Sequence, residues 1–225
     1  MRLIPCIPAI IGCIVATAPA ALADSPLTST DFADAYQDVN VVQQAERNGL
    51  NERVLKALSD PKVPQDVRAA IVNEIGWSNE PQQNATIYLD YIARRHNTGP
   101  SEITLDMLTP QEAMALGYLL AMDNRFYLNQ PIGGPGEVQQ TDALSIVEAA
   151  VAKAPQDFSV ALIHSLIQSQ HEFDRGPANW CAVYETVQGT VEEFQGARNM
   201  RPQAVDIIMD YIGIYEDNCT NPRSL

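Results

Sequence analysis

Apolar residues recur along this chain at steps of three and four, the spacing of one helix face. No segment shows the sustained alternation, rich in β-branched residues, that marks a strand. Residues 141–155, TDALSIVEAAVAKAP, are the clearest case. Leu144, Val147, Ala150 and Val151 form a stripe, Thr141 is placed to cap the first turn, Asp142 sits at the positive end of the helix dipole, and Ala154-Pro155 stops the run. Before it, the pattern predicts a helix over 31–48 with Phe32, Tyr36, Val39 and Val42 inward and Asn48-Gly49 as the stop. A short helix capped by Asn51 follows, carrying Val54, Leu55 and Leu58. Pro64 then opens a helix with Val67, Ala70, Ile71 and Ile75, and Pro81 opens another with Ala85, Tyr88, Leu89 and Ile92. Thr109-Pro110-Gln111-Glu112 combines a capping box with proline in the first turn, ahead of Ala113, Leu116, Gly117 and Leu120.

In the C-terminal part, Gln156 or Asp157 opens a helix through Val160, Ile163, Leu166 and Ile167, apolar over so wide an arc that it belongs in the centre. Pro177 opens one with Trp180, Cys181, Tyr184 and Val187. Thr190 and Glu193 predict a second capping box that starts a short turn with Phe194. Pro202 begins the last helix, with Val205, Ile208, Met209, Ile212 and Tyr215. The fold class is all-α. A Gly/Pro-rich stretch over 125–139 is too long for a simple helical hairpin turn and reads as an inserted loop.

Ala113, Leu116-Gly117 and Leu120 resemble the first helix of a tetratricopeptide repeat, and Ala143, Val147, Ala150 and Pro155 are similar to its second. Leu and Val stand where that family has aromatics, and an insertion separates the two helices, so the resemblance is confined to about residues 110–155. It implies an array of helical hairpins, an α-solenoid. The alternative is an irregular helical bundle with a single core.

The first 23 residues change the picture of where the chain works. Arg2, an apolar run from Leu3 to about Ala18 and the small residues Ala21 and Ala23 predict a secretory signal peptide cleaved after Ala23. Residues 24–225 then form a single helical domain without a transmembrane segment, periplasmic or secreted. Ile10-Ile11-Gly12-Cys13 also resembles a lipoprotein box, but the apolar residues after Cys13 disfavour a lipid-bearing cysteine there. Cys181 and Cys219 remain, and in an exported chain their default is one disulfide. The formal net charge of −14 disfavours a nucleic-acid role, which needs clustered Lys and Arg.

Candidate chemistry is sparse. His164 and His171 lie on nearly one helix face but about 10 Å apart along the axis, too far to share a metal ion. The basic run Arg94-Arg95-His96 complements a helix C-terminus, and Glu192-Glu193 fits the second capping box. No nucleophile elbow, P-loop, dinucleotide fingerprint, zinc-protease or EF-hand pattern occurs. The sequence therefore supplies no catalytic, cofactor or metal residues. The expected function is a non-enzymatic interaction or adaptor protein of the bacterial cell envelope, with Phe126, Tyr127 and Leu128 of the loop as anchors for a protein partner. A helical carrier or chaperone sheltering an apolar ligand along 158–170, and an enzyme with a dispersed site tested first at His164, His171 and Glu172, are the alternatives.

Overall fold

The computed structural model describes residues 25–77 and 82–220; the expected signal peptide, Cys13 and Pro81 lie outside them. The described residues are helical, with no strand among them. A 3-10 turn (Phe32–Tyr36) leads into α1 (Asn40–Asn48), α2 (Glu52–Ser59), α3 (Gln65–Ile75) and α4 (Asn84–Arg95). Then come α5 (Pro110–Asp123), the single turn α6 (Glu137–Gln140), α7 (Ala143–Lys153), α8 (Phe158–Asp174), α9 (Trp180–Glu193), α10 (Pro202–Ile212) and the short α11 (Asp217–Thr220). No helix among the described residues is long and apolar enough to cross a membrane.

The centre is α5, buried on every side from Glu112 to Met122 and packed against α2, α3, α4, α7 and α8. A single-stripe reading of this helix was too narrow, because a helix apolar all round must be enclosed. Its tightest neighbour is α7. A Cβ placed on Gly117 would lie 2.5 Å from Val147 Cγ2 and 2.9 Å from the Ala143 carbonyl oxygen, so glycine sets how closely the two axes approach. The wide apolar arc of α8 is filled in the same way. Val160, Leu162, Ile163, Leu166 and Ile167 are fully buried on a helix packed against α3, α5, α7 and α9.

Buried polar side chains tie these layers together. Asn73 of α3 accepts from the Ala33 N–H at 3.0 Å and donates to the Thr30 carbonyl and the Tyr118 hydroxyl, which joins the N-terminal turn to α5. Arg68 is fully buried, and its guanidinium donates to the carbonyls of Leu58, Asp60 and Val63 and to the Gln65 side chain, folding the α2–α3 connection around itself. The first described residues also meet later parts of the chain. The Arg201 N–H donates to the Tyr36 hydroxyl at 3.2 Å, the Arg201 guanidinium lies over the Tyr36 ring and pairs with Asp38, and the Leu27 N–H reaches Gln170 Oε1 at 3.2 Å.

Cys181 and Cys219 form a disulfide across 38 residues of sequence, with Cα atoms 4.7 Å apart, joining the start of α9 to α11. By the chain-entropy argument a loop of that length stabilises by roughly 3–4 kcal/mol. Phe173, Trp180, Tyr211 and Tyr215 form an aromatic cluster next to Cys181, with Phe173 stacked on Trp180 and the Trp180 and Tyr215 rings 5.8 Å apart edge to face.

Several local expectations hold and others fail for identifiable reasons. Asn51 accepts from the Arg53 and Val54 N–H groups, Gly49 ends α1 at φ 58°, and Thr109 and Glu112 cap α5 reciprocally. The predicted 31–48 helix is instead a 3-10 turn and a separate α1, because residues 37–39 break the run between two inward-facing segments. The cap of α7 is Asp142, whose carboxylate accepts from the Ser145 N–H at 2.9 Å; Thr141 donates its hydroxyl backward to the Glu137 carbonyl. The second capping box does not form. Thr190 lies inside the last turns of α9, its hydroxyl donates to the Thr186 carbonyl, and the helix runs on through Glu192 and Glu193.

Candidate functional site

The loop after α5 turns twice. Asn124 accepts at its carbonyl from the Tyr127 N–H at 2.7 Å, Tyr127 accepts from the Gln130 N–H at 2.8 Å, and the Asn124 side chain donates to the Gln130 carbonyl. These bonds spend the backbone polar groups locally and leave the side chains between them pointing in opposite directions. Leu128 is 6% exposed and enters the core, whereas Phe126 and Tyr127 are 57% and 73% exposed. The Arg125 guanidinium lies 5.2 Å above the Phe126 ring and covers one of its faces.

The last turn of α8 forms the opposite wall. Residues 126–130 with His171, Asp174 and Arg175 enclose a groove of about 470 Å³, with Leu128 as a contributor to its buried side. Arg175 is held by the Glu172 carboxylate at 2.8 and 3.1 Å. Gln170 donates to Asp174 at 2.9 Å while accepting from the Leu27 N–H, so the wall is braced from the N-terminal segment. Burial raises the Asp174 pKa against the pull of Gln170 and His171. The groove is thus apolar on one side and ionic on the other, built on a helix end and a hydrogen-bonded turn.

The residues singled out for a dispersed catalytic site are not brought together. His171 lines the groove, Glu172 is engaged with Arg175, and His164 faces α7 with Nε2 3.9 Å from Glu148 Oε1. Burial lowers the His164 pKa, and Glu148 raises it in part. The Arg94-Arg95-His96 run does more than meet a dipole, since Arg95 and His96 lie 3.8 and 3.6 Å from the buried Glu112 carboxylate.

A second cleft had no signal in the spacing of residues. Glu46, Glu74, Trp77, Gln82 and Asn84 line a space of about 450 Å³, with Asp31 and Asp34 close enough to act on it electrostatically. Burial, reinforced by repulsion from Asp31, Glu46 and Asp34, pushes Glu74 up to about 7. Burial and Asp34 likewise push Asp31 to about 6, and the Trp77 indole lowers it in part. The cleft draws on the N-terminal turn, α1, the end of α3 and the start of α4, so no sequence motif could have joined its residues. A third carboxylate, Asp123, closes the start of α4 by accepting from the Ala85 N–H at 2.8 Å and the Asn84 side chain at 3.1 Å, and burial raises it to about 6.

Set against known proteins, the chain matches no family model, no curated protein and no solved structure.

Proposed function

We propose that the chain is a non-enzymatic interaction protein of the bacterial cell envelope that docks a partner in the groove between residues 126–130 and the end of α8. The carrying observation is the pair of large exposed rings, Phe126 and Tyr127, held on a turn with its own hydrogen bonds beside a preformed groove. A soluble chain gains nothing in folding from leaving two adjacent aromatics in water, while aromatic side chains on rigid supports are the usual anchors of protein interfaces. The partner segment that suits the groove carries an apolar side chain for the ring wall and basic residues drawn by the net charge of −14. Export is supported by the leader pattern of residues 1–23, and the disulfide is compatible with an oxidising compartment. The α5–α7 pair, with Gly117 against Val147 and the Ala143 backbone, supports reading it as a tetratricopeptide-like hairpin within the bundle.

The test compares envelope proteins retained by the native chain and by a Phe126→Ser, Tyr127→Ser double variant whose melting temperature is unchanged. A protein retained by the first and released by the second supports the reading. Equal retention by both removes the groove as the docking site.

A further inference from the structure

Cys181 and Glu185 lie one helical turn apart on α9, on the same face, and Cys219 is brought against that face by α11. Both sulfurs and a Glu185 carboxylate oxygen lie within 4.8 Å of one another. Three soft or anionic donors converging from two helices are the donor set of a transition-metal site, provided that the sulfurs are thiolates.

The frame around them does not depend on the disulfide alone. Val183 and Val187 anchor α9 in the core, and the Phe173, Trp180 and Tyr215 rings hold the end of α8, the start of α9 and the 3-10 turn after α10 (Gly213–Tyr215) together at centroid distances of 5.8 to 6.0 Å. Opening the disulfide therefore leaves the two cysteines neighbours. Both are only partly buried and Glu185 is exposed, so a small reductant and a hydrated ion have access. Glu216 and Asp217, exposed beside Cys219, add negative potential that favours a cation.

We propose that reduction of this disulfide converts Cys181, Glu185 and Cys219 into a zinc site. A dithiol reductant passes two electrons and two protons to the protein disulfide, becoming a disulfide itself and leaving two protein thiols. Zinc then displaces the two thiol protons and binds both thiolates and the Glu185 carboxylate, with water as the fourth ligand of a tetrahedron. The bridge and the metal are mutually exclusive occupants of one position, so the chain exchanges a covalent crosslink for a coordinate one.

The experiment uses the full exported chain, reduced with dithiothreitol, freed of it by anaerobic gel filtration and titrated with zinc against a chromophoric chelator. Parallel titration with cobalt reads the thiolate-to-metal charge-transfer band. The expected result is one metal per reduced chain, no measurable binding by the oxidised chain, a thiolate band with cobalt, and binding weakened about 10-fold or more in Glu185→Gln. Helicity followed by circular dichroism checks that the reduced chain and the variant remain folded. Equal zinc affinity of oxidised and reduced chains, equal affinity of Glu185→Gln and the native residue, or helicity lost on reduction and not recovered with zinc would each overturn the proposal.

Discussion

Replacing Gly117 by Ala tests whether the α5–α7 contact governs packing at the centre. In a solvent-facing helix the change would stabilise by about 1 kcal/mol, since alanine gives up less backbone freedom than glycine. Here the added methyl would sit 2.5 Å from Val147 Cγ2 and 2.9 Å from the Ala143 carbonyl oxygen. Val147 is fully buried and Ala143 contributes backbone, so neither yields without moving α7 bodily. Overpacking of that kind costs about 1–3 kcal/mol and occasionally more. Offset by the propensity gain, this leaves a net loss of up to about 2 kcal/mol, which lowers the melting temperature of a chain this size by up to about 8 °C. Gly189→Ala on α9 is the matched control, because its new methyl meets nothing within 4 Å. That variant should gain up to about 1 kcal/mol and melt about 2–4 °C higher. Thermal and urea unfolding of both variants with the disulfide intact gives the answer. A Gly117→Ala that stabilises as much as Gly189→Ala would refute the claim that the glycine fixes the separation of the two helices.

The cleft carboxyls predict an unusual pH dependence. With Asp31 at about 6 and Glu74 at about 7, the native chain keeps protons that the unfolded chain has released between about pH 4 and pH 7, so stability falls as pH rises across that window. Glu74→Gln should flatten the upper part of the slope and raise the urea midpoint at pH 8; an unchanged slope would show that the carboxyl is not held there. Arg68→Met strands the carbonyls of Leu58, Asp60 and Val63, and urea unfolding should record a loss of about 3 kcal/mol or more. Asp142→Ala should cost about 1 kcal/mol while Thr141→Ala stays within about 0.5 kcal/mol, the reverse being expected if threonine were the cap. Cys181→Ser with Cys219→Ser should lower stability by roughly 3–4 kcal/mol without changing the helical content, read by circular dichroism and urea.

Most helices were legible because capping chemistry and apolar spacing are local. Asn51, Thr109 with Glu112, the proline starts at 110 and 202, and Pro64 just before the first turn of α3 all act within a few residues of themselves. The same locality misled at Thr190, where a capping pattern lies inside a longer helix because Trp180, Val183 and Val187 had already committed the segment to helix and core. Phe126 and Tyr127 stood out as large rings in a loop, but that Leu128 turns the other way depends on the double turn anchored by Asn124. The acidic cleft was beyond reach for a different reason. Asp31 and Glu74 are ordinary acids in the sequence, and only tertiary packing removes water from them and sets Glu46 and Asp34 near Glu74. Glu185 was hidden in the same way, since its relation to Cys219 crosses from one helix to another.

The clasp of Arg201 on Tyr36 and Asp38 bears on the order in which the molecule can be finished. The 3-10 turn that leads the described chain packs against α10, which comes near its end. A chain emerging N-terminus first from a ribosome therefore presents Phe32 and Tyr36 long before their partners in α10 arrive. Until residues 201–212 are free to pack, one flank of the core stays open. Closure of that flank therefore waits on α10, however early the 3-10 turn has formed.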